Sequence, residues 1–151
     1  MKLKKFEGNP ILSPLKTNDW ESLVTCNPGV IYDNGVFYML YRAAGNDPEH
    51  VIRLGLAISK DGFHFQRVSD QPVFGPSEDG PDSGCVEDPR IVKYGKEFYI
   101  TYAYRPYAPG QYWKFGHDEI LLPECGDDAP LALRNNLGNT GLAMTTDFHK
   151  F

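Results

Sequence analysis

No apolar run in this chain exceeds a few residues, so no segment approaches the ~20 apolar residues of a membrane-spanning helix. Met1-Lys2-Leu3-Lys4-Lys5 leads into Phe6-Glu7-Gly8-Asn9-Pro10, not an apolar h-region, and no signal peptide is expected. Basic excess is missing too. Fifteen Lys and Arg face twenty Asp and Glu, a formal charge of −5 without the basic footprint of nucleic-acid binders. Cysteines are few: Cys26, Cys85 and Cys125 are far apart, odd in number and without metal-ligand spacing. They cannot all pair within the chain, which points to a reducing, cytoplasmic compartment. His50, His64, His117 and His149 show no ligand spacing either, so neither a metal nor a cofactor is expected.

What is present favours strands. Nine Tyr, nine Phe and two Trp accompany fifteen Gly and twelve Pro in 151 residues, the composition of many short strands joined by tight turns. The length gives a prior of one domain. Val30–Tyr32 and Val36–Arg42 flank Asn34-Gly35, the strongest short hairpin signal, because both turn positions need positive φ. The second of these strands lacks polar alternation, so burial on both faces is expected. Ile52–Ser59 reads as a third strand, Lys60-Asp61-Gly62 as a turn, and Phe63–Arg67 as a fourth, edge-like strand. Together they make one antiparallel meander.

The pattern recurs. Asp88–Tyr102 lies over Asn27–Tyr41 at a constant offset of 61, and Gly141–Asp147 lies over Gly55–Asp61 at an offset of 86. The difference of 25 is an insertion in the second copy, between about residues 106 and 139. Repeated four-stranded units mark a β-propeller, each unit one blade. The expected fold is all-β, with blade one near 27–68 and blade two near 86–151. Known propellers close with about four to eight blades. Two blades therefore read as the N-terminal portion of a longer protein, or as a unit of which several copies assemble into a ring.

Ligands often sit at the mouth of a propeller's central channel, which places interest on the start of each opening strand. Asn27 in Cys26-Asn27-Pro28-Gly29 and Glu87-Asp88 in Val86-Glu87-Asp88-Pro89-Arg90 hold equivalent places and should converge. The following proline is expected to hold Asn27 and Asp88 extended, and its missing N–H suits the first residue of a strand. Asp88 and Arg90, two apart, are expected to share one face, either as a functional pair or as a structural ion pair.

Asn9-Pro10-Ile11-Leu12, Asn27-Pro28-Gly29-Val30, Phe37–Arg42, Leu54–Gly62 and Val86–Ile91 together resemble glycoside hydrolase family 130. That family comprises β-mannoside phosphorylases and related β-1,2-mannosidases. The resemblance runs through essentially the whole chain. It implies a five-bladed propeller, of which about two blades are present here, with a sugar site at its central pocket. It places the family's general acid on Asp88, acting through the mannose 3-hydroxyl while inorganic phosphate attacks the anomeric carbon with inversion. It places mannose contacts on Asn27 and Arg42, with Glu87 and Arg90 in the same block as further substrate-binding candidates. The implied partners are a β-mannoside oligosaccharide and phosphate as co-substrate, with no nucleic acid or membrane, and a homo-oligomer is allowed. Phosphorolysis needs one acid plus cations for phosphate, whereas inverting hydrolysis needs a second carboxylate about 6.5–9.5 Å away. The alternatives are a β-1,2-mannosidase of the same family and a non-catalytic carbohydrate-binding fragment.

Other motifs divide between two readings. Pro109–Trp113 with His117 and Asp118 either walls the acceptor-sugar side or packs as a surface loop. Ser77–Asp82 reads as a solvated acidic turn rather than a cation site. Cys26 and Cys85 adjoin the candidate site without a nearby base, which favours packing over nucleophilic roles.

Overall fold

The computed structural model describes residues 2–110 and 136–151. Two antiparallel sheets follow one another. Sheet one is a meander of β1 (Val24–Asp33), β2 (Val36–Ala44), β3 (Arg53–Ser59) and β4 (Gln66–Arg67), in that spatial order. Sheet two runs β5 (Cys85–Tyr94), β6 (Glu97–Arg105) and β7 (Asn139–Thr145). A 3-10 turn at Asp19–Glu21 precedes β1.

The hairpin signal holds: Asn34 and Gly35 both take positive φ, 47° and 85°. Their connection lets β1 and β2 pair from Asp33↔Val36 to Val24↔Ala44. As expected of an apolar strand without alternation, β2 is buried at Met39, Leu40 and Tyr41 in succession. Residues on its two faces enter two different cores. Leu40 and Leu56 pack with Phe98 and Ile100 of sheet two and with Phe148 just after β7, so one face of each sheet is buried against the other. Met39, Tyr41, Ala43 and Ala57 face the opposite way, under Ile11, Leu12, Trp20 and Phe65.

The repeat is physical as well as textual. Tyr41 pairs with Gly55 and Tyr102 with Gly141, and in both places a Cβ on the glycine would fall inside the tyrosine ring's contact distance, at 2.2 and 2.4 Å. Tyr41 donates its hydroxyl proton to Glu21 (3.1 Å) and Tyr102 to Asp82 (3.0 Å), the two carboxylates again 61 residues apart. Each sheet thus lays a tyrosine across a glycine of the neighbouring strand and pins it to an acid that precedes the sheet. That gives Asp82 a structural task in the acidic 77–82 turn, where it also accepts from Ser77 Oγ.

Three expectations need correction. The fourth strand is only Gln66–Arg67, because Asp61 Oδ1 accepts the amides of Phe63 (2.8 Å) and His64 (2.9 Å) and holds that stretch in a turn. Asp147 does the same for His149 and Lys150, and sheet two has three strands among the described residues. Finally, β1 and β5 begin three residues before Asn27 and Asp88, so neither residue opens its strand. The described strands are unequally spaced: residues 45–52 separate β2 from β3, whereas residues 106–138 separate β6 from β7, a difference of 25. Gln111–Trp113, His117, Asp118 and Cys125 lie outside the described residues.

Candidate active site

Asn27 and Asp88 occupy matching bulges. In sheet one the pairing passes from Cys26↔Arg42 to Gly29↔Leu40, and in sheet two from Glu87↔Ala103 to Arg90↔Thr101. Each bulge inserts one extra residue, which bends the strand and re-aims its side chains. The backbone at Asn27 and Asp88 is left-handed, with φ of 44° and 55°, and not the extended form expected before proline. Asn and Asp tolerate this region better than other side-chain-bearing residues. Pro28 and Pro89 fit here because a bulge leaves an N–H out of the ladder, one of the few places a sheet accepts proline.

The bulges bring the two side chains together. Asn27 Nδ2 donates to Asp88 Oδ1 at 2.8 Å. Arg42, opposite Cys26 on β2, donates to the same Oδ1 through Nη1 at 3.2 Å and contacts Glu87 Oε2 at 2.7 Å. Oδ2 of Asp88 has no hydrogen bond among the described residues, and the side chain retains 35% of its exposure. Sheet one therefore supplies two donors to one oxygen of a carboxylate carried by sheet two, with the other oxygen unengaged among the described residues. Burial alone would lower the Arg42 pKa, but Glu87 and Asp88 outweigh it and hold the guanidinium above its ordinary value. Arg42 stays a permanent cation.

Arg90 does not join them. The extra bulge residue breaks the alternation that would have set it beside Asp88, so the expected shared face does not form and the two side chains make neither a functional nor a structural ion pair. Arg90 is exposed, and its Nη1 donates to the carbonyls of Asp88 (3.1 Å) and Pro89 (2.9 Å). It braces the bulge backbone. Glu87 is nearly buried and is held from its far side by Arg105, whose Nε donates to Oε1 at 3.2 Å. No local motif in the sequence singles out Arg105; the repeat alone marks it, since 61 residues earlier stands Ala44.

Both nearby thiols are free and poorly suited to nucleophilic work. Burial pushes the Cys85 pKa up to about 12 and raises that of half-buried Cys26 as well, keeping each sulfur protonated. No group of three His, Cys, Asp or Glu side chains among the described residues could hold a metal. No helix among them is long and apolar enough to cross a membrane.

Between the N-terminal segment and the outer face of sheet one lies a cavity of about 480 Å³, lined by Pro10, Ile11, Thr25, Cys26, Pro28 and Met39 among others. On sheet two, the outer face is exposed at Val92 (64%), Tyr94 (78%) and Leu142 (62%). Val92 and Leu142 are the repeat partners of Ile31 and Leu56, which sheet one buries against sheet two.

Residues 2–114 match the family described as beta-1,4-mannooligosaccharide phosphorylase, glycoside hydrolase family 130. A 1,2-beta-oligomannan phosphorylase from Thermoanaerobacter sp. (strain X514) is 40% identical over 107 residues, which is 68% of this chain and 36% of that protein. A beta-1,2-mannobiose phosphorylase from the same organism is 37% identical over 112 residues, 67% of this chain and 36% of its own length. This chain thus spans little more than a third of either curated relative. Among solved structures, a glycosyl hydrolase from Bacteroides ovatus superposes with a TM-score of 0.56 at 33% identity, over 65% of this chain and 32% of that one. With three quarters of its length matched, and with the bulged Asn27 and Asp88 blocks inside the matched region, the chain belongs to glycoside hydrolase family 130.

Proposed function

We propose that this chain is the acid-bearing part of a β-mannoside phosphorylase, with Asp88 as general acid. The observation that carries this reading is the arrangement at Asp88: Oδ1 takes donors from Asn27 and Arg42, and Oδ2 is left unengaged among the described residues. A carboxyl group oriented through one oxygen can hold its proton on the other, where a sugar hydroxyl would receive it. Asp88 passes that proton through the mannose 3-hydroxyl to the glycosidic oxygen. The bond from the anomeric carbon to that oxygen breaks, phosphate oxygen bonds to the same carbon from the opposite face, and mannose 1-phosphate leaves with inverted configuration. Asn27 and Arg42 hold the mannose beside Asp88. Glu87 serves by holding Arg42, and Arg90 by bracing the bulge. Phosphate, already a nucleophile, removes the need for a second carboxylate as base. The phosphorylase activity of both curated relatives supports phosphate over water as acceptor.

The same reading takes the two sheets as blades of a five-bladed propeller in the cytoplasm, blade one near 27–68 and blade two near 86–151. Two surfaces support further blades. Sheet two exposes, at Val92 and Leu142, the repeat equivalents of the face by which sheet one receives it. The cavity at Pro28 and Met39 lies over the repeat equivalents of Pro89 and Ile100, which sheet one covers.

The test is product analysis on the whole-length protein, given β-1,2- and β-1,4-linked mannobiose with and without inorganic phosphate. Mannose 1-phosphate that forms only with phosphate, and is lost in Asp88→Asn by about 10²–10⁴-fold, is the expected result. Free mannose as the sole product would make the protein a mannosidase. Binding without turnover would make it a carbohydrate-binding protein.

A further inference from the structure

Arg105 ends β6 and makes contacts in two directions. Its Nε donates to Glu87 Oε1 at 3.2 Å, while Nη1 donates to the carbonyl of Asn136 at 2.8 Å. Asn136 Oδ1 in turn accepts the amide of Tyr107 at 3.0 Å. Tyr107 and Asn136 stand at the two ends of the long β6–β7 connection, so this network draws its neck closed and joins it to a carboxylate beside Asp88.

The repeat separates what is structural here from what is particular to this site. Eighty-six residues before Asn136 stands His50. Both are buried (5% and 6% exposed), and both take left-handed backbone, φ 49° and 51°. His50 Nδ1 bonds the carbonyl of Gly45, at the start of the short β2–β3 connection, much as Asn136 bonds Tyr107. Closing the neck is therefore a property of the repeat, and sheet one achieves it with Ala44 where sheet two has Arg105. Glu87 is likewise new to the second unit, since its repeat partner is Cys26. The buried carboxylate and the second arginine enter together.

A buried carboxylate needs cations or donors on both oxygens. Glu87 has Arg42 on Oε2 at 2.7 Å and Arg105 on Oε1. Arg42 spans from Glu87 to Asp88, where its contact is longer, 3.2 Å. Were Arg105 absent, Arg42 would be the one cation left to Glu87 among the described residues and would be drawn away from Asp88.

We propose that Arg105 is a positioning residue for the Asp88 site: by occupying Oε1 of Glu87 it leaves Arg42 able to orient Asp88, and through Asn136 it fixes that arrangement to the neck of the β6–β7 connection. This rests on the phosphorylase reading for its kinetic consequence, and on geometry alone for its structural one.

The experiment compares Arg105→Met and Arg105→Lys in the whole-length protein, with and without Glu87→Gln. Arg105→Met is expected to lower kcat on mannobiose plus phosphate about 10- to 100-fold while KM for the mannoside moves less than about threefold, the signature of a misplaced catalytic group. Lysine keeps a cation beside Glu87, but its single nitrogen cannot stand in for both Nε and Nη1 and gives up the Asn136 carbonyl. It is expected to recover most of kcat, while the amides of 105–110 exchange with deuterium faster in both variants. In the Glu87→Gln background, Arg105→Met is expected to cost less than about threefold, because the two act as one unit. An unchanged kcat in Arg105→Met, a loss that lysine does not recover, or the same loss with and without Glu87 would overturn the proposal. If the wild-type protein turns over no mannoside, the phosphorylase reading fails by itself. Exchange at 86–90 and 105–110 then decides the role of Arg105, unchanged rates in Arg105→Met counting against it and faster rates at both segments for it.

Discussion

Asn27 and Asp88, 61 residues apart and equivalent by repeat, hydrogen-bond to each other at 2.8 Å from two left-handed bulge positions. The repeat has thus kept a backbone geometry and changed an amide into an acid. In sheet one the position supplies a donor, and in sheet two it supplies the group that donor orients.

That pairing can be tested by removing the difference. Asn27→Asp keeps the shape and the tolerance for positive φ, but replaces Nδ2 with an oxygen facing Asp88 Oδ1. Because the site is partly exposed, the expected destabilisation is about 1 kcal/mol at neutral pH. It should shrink as added salt screens the two facing carboxylates. Thermal denaturation of both proteins at about 0.05 and 0.5 M salt reads this, and a gap that does not narrow with salt would remove the electrostatic account.

Arg42 is the cation shared by two acids, at 2.7 and 3.2 Å. Arg42→Met leaves the nearly buried Glu87 with Arg105 alone, and the expected cost is about 3 kcal/mol in urea denaturation. Arg42→Lys should recover part of it, since one ammonium replaces a guanidinium that touches both carboxylates. A cost below about 1 kcal/mol for Arg42→Met would mean that Glu87 does not depend on it.

His50 should make stability depend on pH. Burial lowers its pKa against the opposing hydrogen bond to the Gly45 carbonyl and the charge of Asp47, while Arg42 lowers it further and Glu87 opposes. Between that folded value and the ordinary ~6.5, the unfolded chain binds the additional proton. The contribution is therefore complete above about 6.5 and is lost as the pH falls through this window. His50→Asn, which installs the residue found at the equivalent place in sheet two, should flatten this part of the profile. Urea midpoints at about pH 7.5 and 5.5 are the measurement, and equal slopes in both proteins would assign the pH dependence elsewhere.

The tyrosine-over-glycine crossings should be intolerant of a single methyl group. Gly55→Ala and Gly141→Ala place a Cβ at 2.2 and 2.4 Å from the rings of Tyr41 and Tyr102, whereas Gly138 has nothing within 4 Å. Overpacking of this kind costs about 1–3 kcal/mol, so both variants should lose stability while Gly138→Ala stays within about 0.5 kcal/mol of wild type. A neutral Gly55→Ala would mean that Tyr41 can move aside.

Much of this architecture was readable in the residues. Asn34-Gly35 announces its hairpin, the unbroken apolar run of β2 announces burial on both faces, and the 61-residue offset announces two like units. Each is a local signal, a turn chemistry or a periodicity, which the chain carries without reference to distant partners. The bulges were not readable. Asn27-Pro28 and Asp88-Pro89 look like extended strand starts, because proline disfavours helical backbone before it, and only pairing with β2 and β6 reveals one residue too many. That extra residue is also why Arg90 turns to the backbone and away from Asp88. Phe63–Phe65 reads as strand by composition, yet Asp61 captures its amides first.

By itself the sequence determined the strand-rich class and the repeat with its unequal spacing, since these depend on composition and spacing along one chain. Only the tertiary structure decided which side chains meet. Arg42, Glu87 and Arg105 form one charged line because hydrogen-bond register sets β2 beside β1 and β6 beside β5, and because the two sheets pack through Leu40 and Ile100. Register and packing are settled by contacts between residues dozens of positions apart, and a bulge of one residue is enough to reverse which way a side chain points.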